Sequence, residues 1–454
     1  MKVLLVRPKP HKDTIGLQNV MICEPLELEY LSSNLENEGH QVIIIDMIIE
    51  KRNIQYFLRK YNPDVVGITS YISHINIVKG YAKLIKEFNK NIKTIVGGVH
   101  AEVNPEDFID DNIDFIIRSN GIKTFLELLE KIKNNSEKIN IPSVYNKEID
   151  NAKKETTFNY LYPDRNKVKK YRSKYYYMFH RNCSLMKTSF GCPYNCKFCF
   201  CKKITDGQYF TRPIDDIINE LKNINETEIY IVDDDFLVNR DRIIEFCNAL
   251  KKNKINKKYL IYGRADFIAD NPDVIKLFKS VGLRAVIVGL ESCDSKELVD
   301  YNKKTNIKIN EQAVETLKKF DVECYGTFIL GLDWNKDDFR SLLKWIKKLG
   351  LIFVNLQPLT PLRGTELYEK YKNSFIIKEN EFEKWDLAHV VIEPEKISIR
   401  KYYFYTMWLY YAITMSPKSI IYMIKKYGLK DTLKLGIGSA KITFQYIKKL
   451  ILAK

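Results

Sequence analysis

No run of ~18 apolar residues occurs in this chain, so a helix crossing a bilayer is not expected. A secretory signal is not expected either: MKVLLVRPKPHK has only four apolar residues after its first lysine, which reads as an opening strand. Nine cysteines in 454 residues are too few and too unevenly placed for a disulfide framework, and only Cys23 falls within the first 182 residues. That usage suits a reducing compartment, and a cytoplasmic location is expected. Acid is scarce in one place. From Ile399 to Lys454 ten lysines and one arginine face the single Asp431, a net +10 in a chain whose total is +16. With 45% hydrophobic and 29% charged residues, the composition excludes a disordered chain.

What is present is alternation. Apolar runs at Val3–Val6, Gln41–Asp46, Asp64–Ser70, Thr94–Val99 and Asp114–Ser119 are separated by helix-period segments such as Pro25–Gly39 and Ile75–Asn89. This is the pattern of βαβ units around a parallel sheet, whose ligands gather at the carboxyl ends of the strands. The polar stretch 136–182 reads as a linker. A second series of strands is expected at Leu185–Phe190, Glu228–Asp234, Tyr259–Ala265, Arg284–Leu290, Cys324–Gly331 and Leu351–Leu359. Six βα-like units are too few for a closed eight-stranded barrel but fit a partial one. From about Phe382 the pattern is helical, aromatic and basic.

The run SFGCPYNCKFCFCKK (Ser189–Lys203) carries the strongest chemical signal. Cys192, Cys196 and Cys199 form a CxxxCxxC array, able to hold three irons of a [4Fe–4S] cube and leave the fourth open. A zinc knuckle is the plainer alternative, but its cysteine pairs normally come in twos, and no second pair follows. Asp233, Asp234 and Asp235, Arg264, Glu291 and Gly331 each follow an apolar run, so a barrel would bring them to the rim that carries the cysteines. The aspartates would equally serve as helix caps, and Glu291 as a helix-start residue. Cys201 is a possible proton or hydrogen donor, or an accidental neighbour of the array; the accident is preferred. No residue stands out as a catalytic acid or base.

The cysteine array, with Phe198 before its last cysteine, resembles the signature of the radical S-adenosylmethionine (SAM) superfamily. DDDF (Asp233–Phe236), GRAD (Gly263–Asp266), VGLES (Val288–Ser292), FILGL (Phe328–Leu332) and PLTPLRGTELY (Pro358–Tyr368) are similar to its cobalamin-binding-domain subgroup, over roughly residues 1–375. The bacteriochlorophyll anaerobic oxidative cyclase and hopanoid C-methylase relatives belong to that subgroup. The resemblance implies an α/β chain with a doubly wound cobalamin-binding-like domain (1–135), a linker (136–182), a partial (βα)6 radical SAM barrel (183–380) and a helical C-terminal region (381–454). It implies a [4Fe–4S] cluster on Cys192, Cys196 and Cys199, SAM beside Phe198, Asp233, Asp234, Arg264, Glu291 and Gly331, and cobalamin beside Thr69, Ser70, Gly97 and Gly98. Asp333–Trp334 departs from the Pro-Gly common in relatives, and Ser119–Leu129 lacks their acidic stretch. The D-x-H-x-x-G motif of other cobalamin proteins is absent; HKDTIG (His11–Gly16) stands there, so no axial histidine is expected. His11 reads as a loop residue and His100 as structural or tail-contacting.

The implied activity is methyl transfer to an unactivated carbon of a hydrophobic or lipid-linked small molecule, with SAM cleaved to a 5′-deoxyadenosyl radical and a reducing electron donor as partner. Radical ring formation or oxidation without methyl transfer is the second reading. A transfer-RNA methylthiotransferase would carry three N-terminal cysteines, which this chain lacks, and a non-enzymatic iron–sulfur protein would be expected to supply a fourth ligand. In the tail, aromatics and lysines at helical spacing suit either peripheral contact with an anionic membrane or a cap on the barrel with its lysines in water. Nucleic acid is the third and least favoured partner.

Overall fold

A computed structural model describes residues 1–136, 139–145 and 157–452. The N-terminal lobe is built on five parallel strands: β1 (Lys2–Arg7), β2 (Gln41–Asp46), β3 (Val65–Thr69), β4 (Lys93–Gly97) and β5 (Phe115–Ile116). Their order is β2-β1-β3-β4-β5. Every residue of β3 is buried, as befits a central parallel strand covered on both faces. Helices α1 (Leu26–Asn37) and α4 (Gly121–Lys133) bury Leu28, Leu35, Phe125 and Leu128 on one face. On the other, α2 (Ile54–Tyr61) and α3 (Ile75–Phe88) bury Phe57, Leu58, Val78 and Ile85. The winding reverses between β1 and β3, so a crevice opens beyond their carboxyl ends. The run Asp114–Ser119 yields only a two-residue strand, because Ile117 turns away to bridge Val144 and Arg118 N–H donates to the Ser143 carbonyl.

The second lobe is an open six-stranded parallel sheet in sequence order: β6 (Ser184–Met186), β7 (Glu228–Ile231), β8 (Lys258–Gly263), β9 (Leu283–Glu291), β10 (Glu323–Leu330) and β11 (Phe353–Pro358). Helices α5 (Ile214–Lys222), α6 (Arg240–Lys252), α7 (Pro272–Ser280), α8 (Ile307–Lys319) and α9 (Lys336–Leu349) follow its strands. The strands alternate with period two. Ile229, Ile231, Tyr259, Ile261, Val286 and Val288 pack outward with the helices, whereas Tyr230, Leu260, Ala285, Ile287, Tyr325 and Phe353 form an inner core. The first expected strand stops early because Thr188 N–H bonds the Asp233 carboxylate at 2.6 Å instead of continuing a ladder.

Residues 157–182 connect the lobes and are themselves packed, with Val168, Tyr171 and Tyr175 buried against the first sheet. Met21–Ile22, Tyr176–Tyr177 and His180–Arg181 form a small antiparallel ribbon across the junction. Charge holds it too: buried Glu24 pairs with Arg172, and buried Glu220 with Arg165 and Arg212 at 2.8 and 2.6 Å. The chain ends in three helices, α10 (Ile399–Thr414), α11 (Pro417–Tyr427) and α12 (Leu429–Leu452). The Tyr402 hydroxyl donates to the Leu330 carbonyl on β10, and Tyr427 stacks on Phe179 at 3.7 Å beneath the inner core. Among the described residues no helix is long and apolar enough to cross a membrane.

Candidate active site

The loop from Gly191 to Phe200 leaves the barrel's carboxyl-end rim and is tied down at several points. Asp233, at the end of β7, lies behind it: its carboxylate accepts from Thr188 N and Oγ1 at 2.6 and 2.5 Å and from Ser189 Oγ at 2.7 Å. Buried and fully engaged, Asp233 positions the loop's first residues and faces no open space. Gly191 N–H donates to Asp234 at 3.1 Å, Lys197 N–H to the Tyr301 carbonyl at 3.1 Å, and Asn302 Nδ2 to the Asn195 carbonyl at 2.7 Å. The three cysteines are half-buried. Burial pushes the Cys192 thiol up to about 12 and raises Cys196, whereas a hydrogen bond from Cys201 lowers Cys199.

Two cations flank the array. The Arg264 guanidinium lies 3.7 Å from the Tyr194 ring centroid and 4.0 Å from Cys196 Sγ, held by Asp266 and by the Lys303 carbonyl at 2.7 Å. Lys303 Nζ pairs with Glu291 at 2.7 Å, both nearly out of solvent. Burial works against the Lys303 charge, but Glu291 and Cys196 outweigh it and raise the ammonium. Glu291 is thus not a free carboxylate, and its backbone at φ 59° is strained for a residue with a side chain. A Cβ on Gly289 would stand 2.4 Å from Glu291 Oε1 and 2.6 Å from Lys303 Nζ, so a side chain there would displace the pair.

The other rim residues differ. Phe198 meets Tyr301 edge-on at 5.8 Å. The space where a Cβ of Gly331 would stand is filled by the Trp334 indole, 2.4 Å away, so Gly331 offers a ligand only backbone. Asp235 keeps one buried oxygen without a partner, and burial raises its carboxyl to about 7. The Cys201 thiol donates to Asp234 at 3.4 Å. A cavity of about 350 Å³ opens onto Cys196 and Cys199. A larger one, about 420 Å³, lies at the opposite, amino-end side beside Arg165 and Glu226 and touches none of these residues.

In the first lobe, Ser70 Oγ donates to the Gly97 carbonyl at 3.1 Å, and Gly98, at φ 101°, lets the next turn press on it. A Cβ on Gly97 would meet nothing nearer than Ile117 at 3.9 Å, which leaves its face open. His100 is buried and bonds Asp107 at 2.8 Å, and Asp107 in turn bonds Arg363 of the other lobe at 2.6 Å. His11 stays in its loop beside Asp13.

Between the lobes two tyrosines from different domains come close to each other. Tyr71 and Tyr262 have 54% and 38% of their surface accessible, yet burial raises both phenols, as it raises the carboxyl of the exposed Glu27. Tyr71, beyond the end of β3, feels Glu27, Arg7, Cys23 and Tyr262; Tyr262, on the inner face of β8, feels Cys23, Asp234 and Cys201. Residues beside the first lobe's crevice and beside the cysteine loop therefore face one another. The only sequence hints were that Tyr71 directly follows Thr69–Ser70 and that Tyr262 shares the parity of Leu260.

Residues 14–129 match the B12 binding domain and residues 186–346 the Radical SAM superfamily. The chain joins a B12-binding domain to a radical SAM domain. It is 27% identical over 412 residues to the hopanoid C-3 methylase of Methylococcus capsulatus, covering 89% of this chain and 78% of that protein. The bacteriochlorophyllide d C-8(2)-methyltransferase of Chlorobaculum tepidum is 26% identical over 352 residues, covering 73% and 74%. The fold matches that of the cobalamin-dependent S-adenosylmethionine radical enzyme OxsB, solved with aqua-cobalamin and S-adenosylmethionine bound (TM-score 0.70, 18% identity, 98% of this chain and 72% of that one). The chain is an enzyme of the cobalamin-dependent radical SAM kind, with a [4Fe–4S] cluster, SAM and cobalamin as its cofactors.

The residues present fit those groups. Among the described residues no three of His, Cys, Asp or Glu are drawn close enough to share one metal ion. The donor set on offer is three half-buried thiols on one loop, which suits an iron–sulfur cluster. Arg264 and Lys303 offset the negative charge that thiolates bring. The open Gly97 face beside the Thr69–Ser70 strand end leaves a corrinoid an approach at the crevice.

Proposed function

We propose that this enzyme transfers a methyl group to an unactivated carbon of a hydrophobic or lipid-linked small molecule, with a reaction chamber between the lobes. The observation that carries the reading is that Tyr71, just beyond β3, stands close enough to interact with Tyr262, which in turn neighbours Asp234 and Cys201, so the crevice of the first lobe and the cysteine-loop side of the barrel lie together. When bound, the cluster supplies the electron for SAM cleavage and cobalamin the transferable methyl group. Cys192, Cys196 and Cys199 are the proposed cluster ligands. Arg264 and Lys303 steady the charge there, and Asp233 fixes the loop from behind. Phe198, Asp234 and the backbone near Gly331 border SAM, and Glu291 acts by holding Lys303. Thr69, Ser70, Gly97 and Gly98 border cobalamin. Phenols, a thiol and a carboxyl whose charge burial disfavours are gathered there, which suits a substrate with little charge. A reducing protein partner and a cytoplasmic location at the membrane surface complete the reading.

Anaerobic purification with corrinoid, followed by metal analysis and incubation with methyl-labelled SAM and a low-potential reductant, tests it. Iron and cobalt should both be retained, and label should appear in a lipid-extractable product. Iron without cobalt, or 5′-deoxyadenosine without any methylated product, overturns methyl transfer. Cys196→Ala should lose the cluster iron and all deoxyadenosine formation.

A further inference from the structure

The last helix has two apolar faces. Leu435, Ile442 and Tyr446 look inward, Gly438 packs against the Asn19 carbonyl, and Gln445 donates to the Thr14 carbonyl at 3.2 Å. On the opposite side Leu429, Leu433, Ile437, Phe444, Ile447 and Ile451 are all exposed, Phe444 by 71%. Their spacing of three, four and seven keeps them on one stripe of a helix. The 24 residues of α12 make that stripe ~36 Å long at 1.5 Å per residue. Lys430, Lys434 and Lys448 each follow a stripe residue by one, and Lys441, seven positions after Lys434 and seven before Lys448, falls on the same side, so the four form a single basic flank beside it. From Thr432 to Leu452 there is no acidic residue, and the one acid of α12, Asp431, is paired with Arg181.

We propose that the outward face of α12 docks this enzyme on an anionic lipid bilayer, the stripe entering the acyl boundary and the lysines meeting the headgroups. This deepens the membrane-surface part of the function proposed above. Charge selects the occupant. A second copy would set lysine flank against lysine flank with no acid to pair them, whereas anionic headgroups complement the flank. Phosphate of a nucleic acid would satisfy the lysines and leave six apolar side chains in water. The inner face fixes the consequence, because α12 lies over residues 14–19, in the loop leaving β1 beside the Arg7 end of the chamber. Docking would hold that loop at the bilayer, where a lipid-linked substrate resides.

Flotation of the anaerobically purified full-length holoenzyme tests this, using phosphatidylcholine vesicles with and without about one third phosphatidylglycerol. The protein should float with the anionic vesicles only, and should be released near 1 M salt, where screening acts within ~3 Å. Ile437→Gln with Phe444→Gln should abolish flotation at unchanged melting temperature. Lys441→Gln with Lys448→Gln should weaken it about 25-fold, at about fivefold per lysine. The proposal falls if the wild type stays unbound, if it binds neutral vesicles equally, or if the apolar variant still floats. It falls equally if sedimentation shows a dimer that the apolar variant dissolves, or if the protein binds duplex nucleic acid and not vesicles. Flotation does not depend on turnover, so failure of the methyl-transfer reading would leave its result standing.

Discussion

Lys303 and Glu291 face each other 2.7 Å apart with almost no solvent on either, next to the thiol of Cys196. Removing one member of such a pair strands the other charge, which costs about 3–5 kcal/mol. Lys303→Met should therefore lower the urea midpoint steeply, and Glu291→Gln in the same chain should recover much of the loss. His74 behaves differently. It is buried with its Nδ1 unpartnered, and burial, reinforced by Arg7, lowers it from the usual 6.5 to about 4. The unfolded chain then binds the extra proton between about pH 6.5 and pH 4 while the folded one does not. The stability His74 contributes is present above pH 6.5 and lost as pH falls towards 4, a difference of roughly 3 kcal/mol. A His74→Phe variant should show a flatter fall in denaturation midpoint across that window. Neither residue stands out in the sequence, because a lysine twelve positions after Glu291 and a histidine in SYISH look like surface residues until their neighbours are known.

At the scale of elements, the turn after β4 carries the plainest demand. Gly98 sits at φ 101°, and a Cβ there would stand 2.7 Å from Ser70 N and 2.8 Å from Thr69 Oγ1. Gly98→Ala should cost about 1–3 kcal/mol from backbone strain, with the clash added, and should weaken corrinoid retention by displacing the end of β3. Thermal melting and bound cobalt per chain check the two effects separately. Other elements were set by their own residues: Gln41–Asp46 is a strand over the whole of its apolar run, and β9 and β10 run one residue to either side of theirs or start one residue earlier. Asp114–Ser119 has the same composition and fails to extend, since its partners lie in the segment around Val144, which no local pattern reveals. The basic tail divides likewise. The α10 and α11 helices became the cap on the barrel, through Tyr402 and Tyr427, whereas α12 kept one face outside.

For the whole molecule the decisive feature is the proposed chamber between the lobes. A ligand that fills it and binds only the folded chain stabilises by mass action, ~2.7 kcal/mol at a hundredfold excess over its dissociation constant. Hydroxocobalamin should raise the melting temperature of the anaerobic protein in a concentration-dependent way, and should slow hydrogen exchange around Tyr71 and Tyr262. An unchanged melting curve would show that the chamber holds no corrinoid.

The amino-acid sequence alone determined the cysteine array, the two βα series and the basic tail, because each is written in local spacing or composition. It also placed Asp233 and Glu291 at strand ends, since an apolar run must stop where the rim begins. Only the tertiary structure decided what those carboxylates do: Asp233 turns back to anchor the loop, and Glu291 spends its charge on Lys303. It alone decided that Tyr71 and Tyr262, nearly two hundred positions apart, are neighbours, because that follows from how two sheets are set against each other and no single segment encodes it.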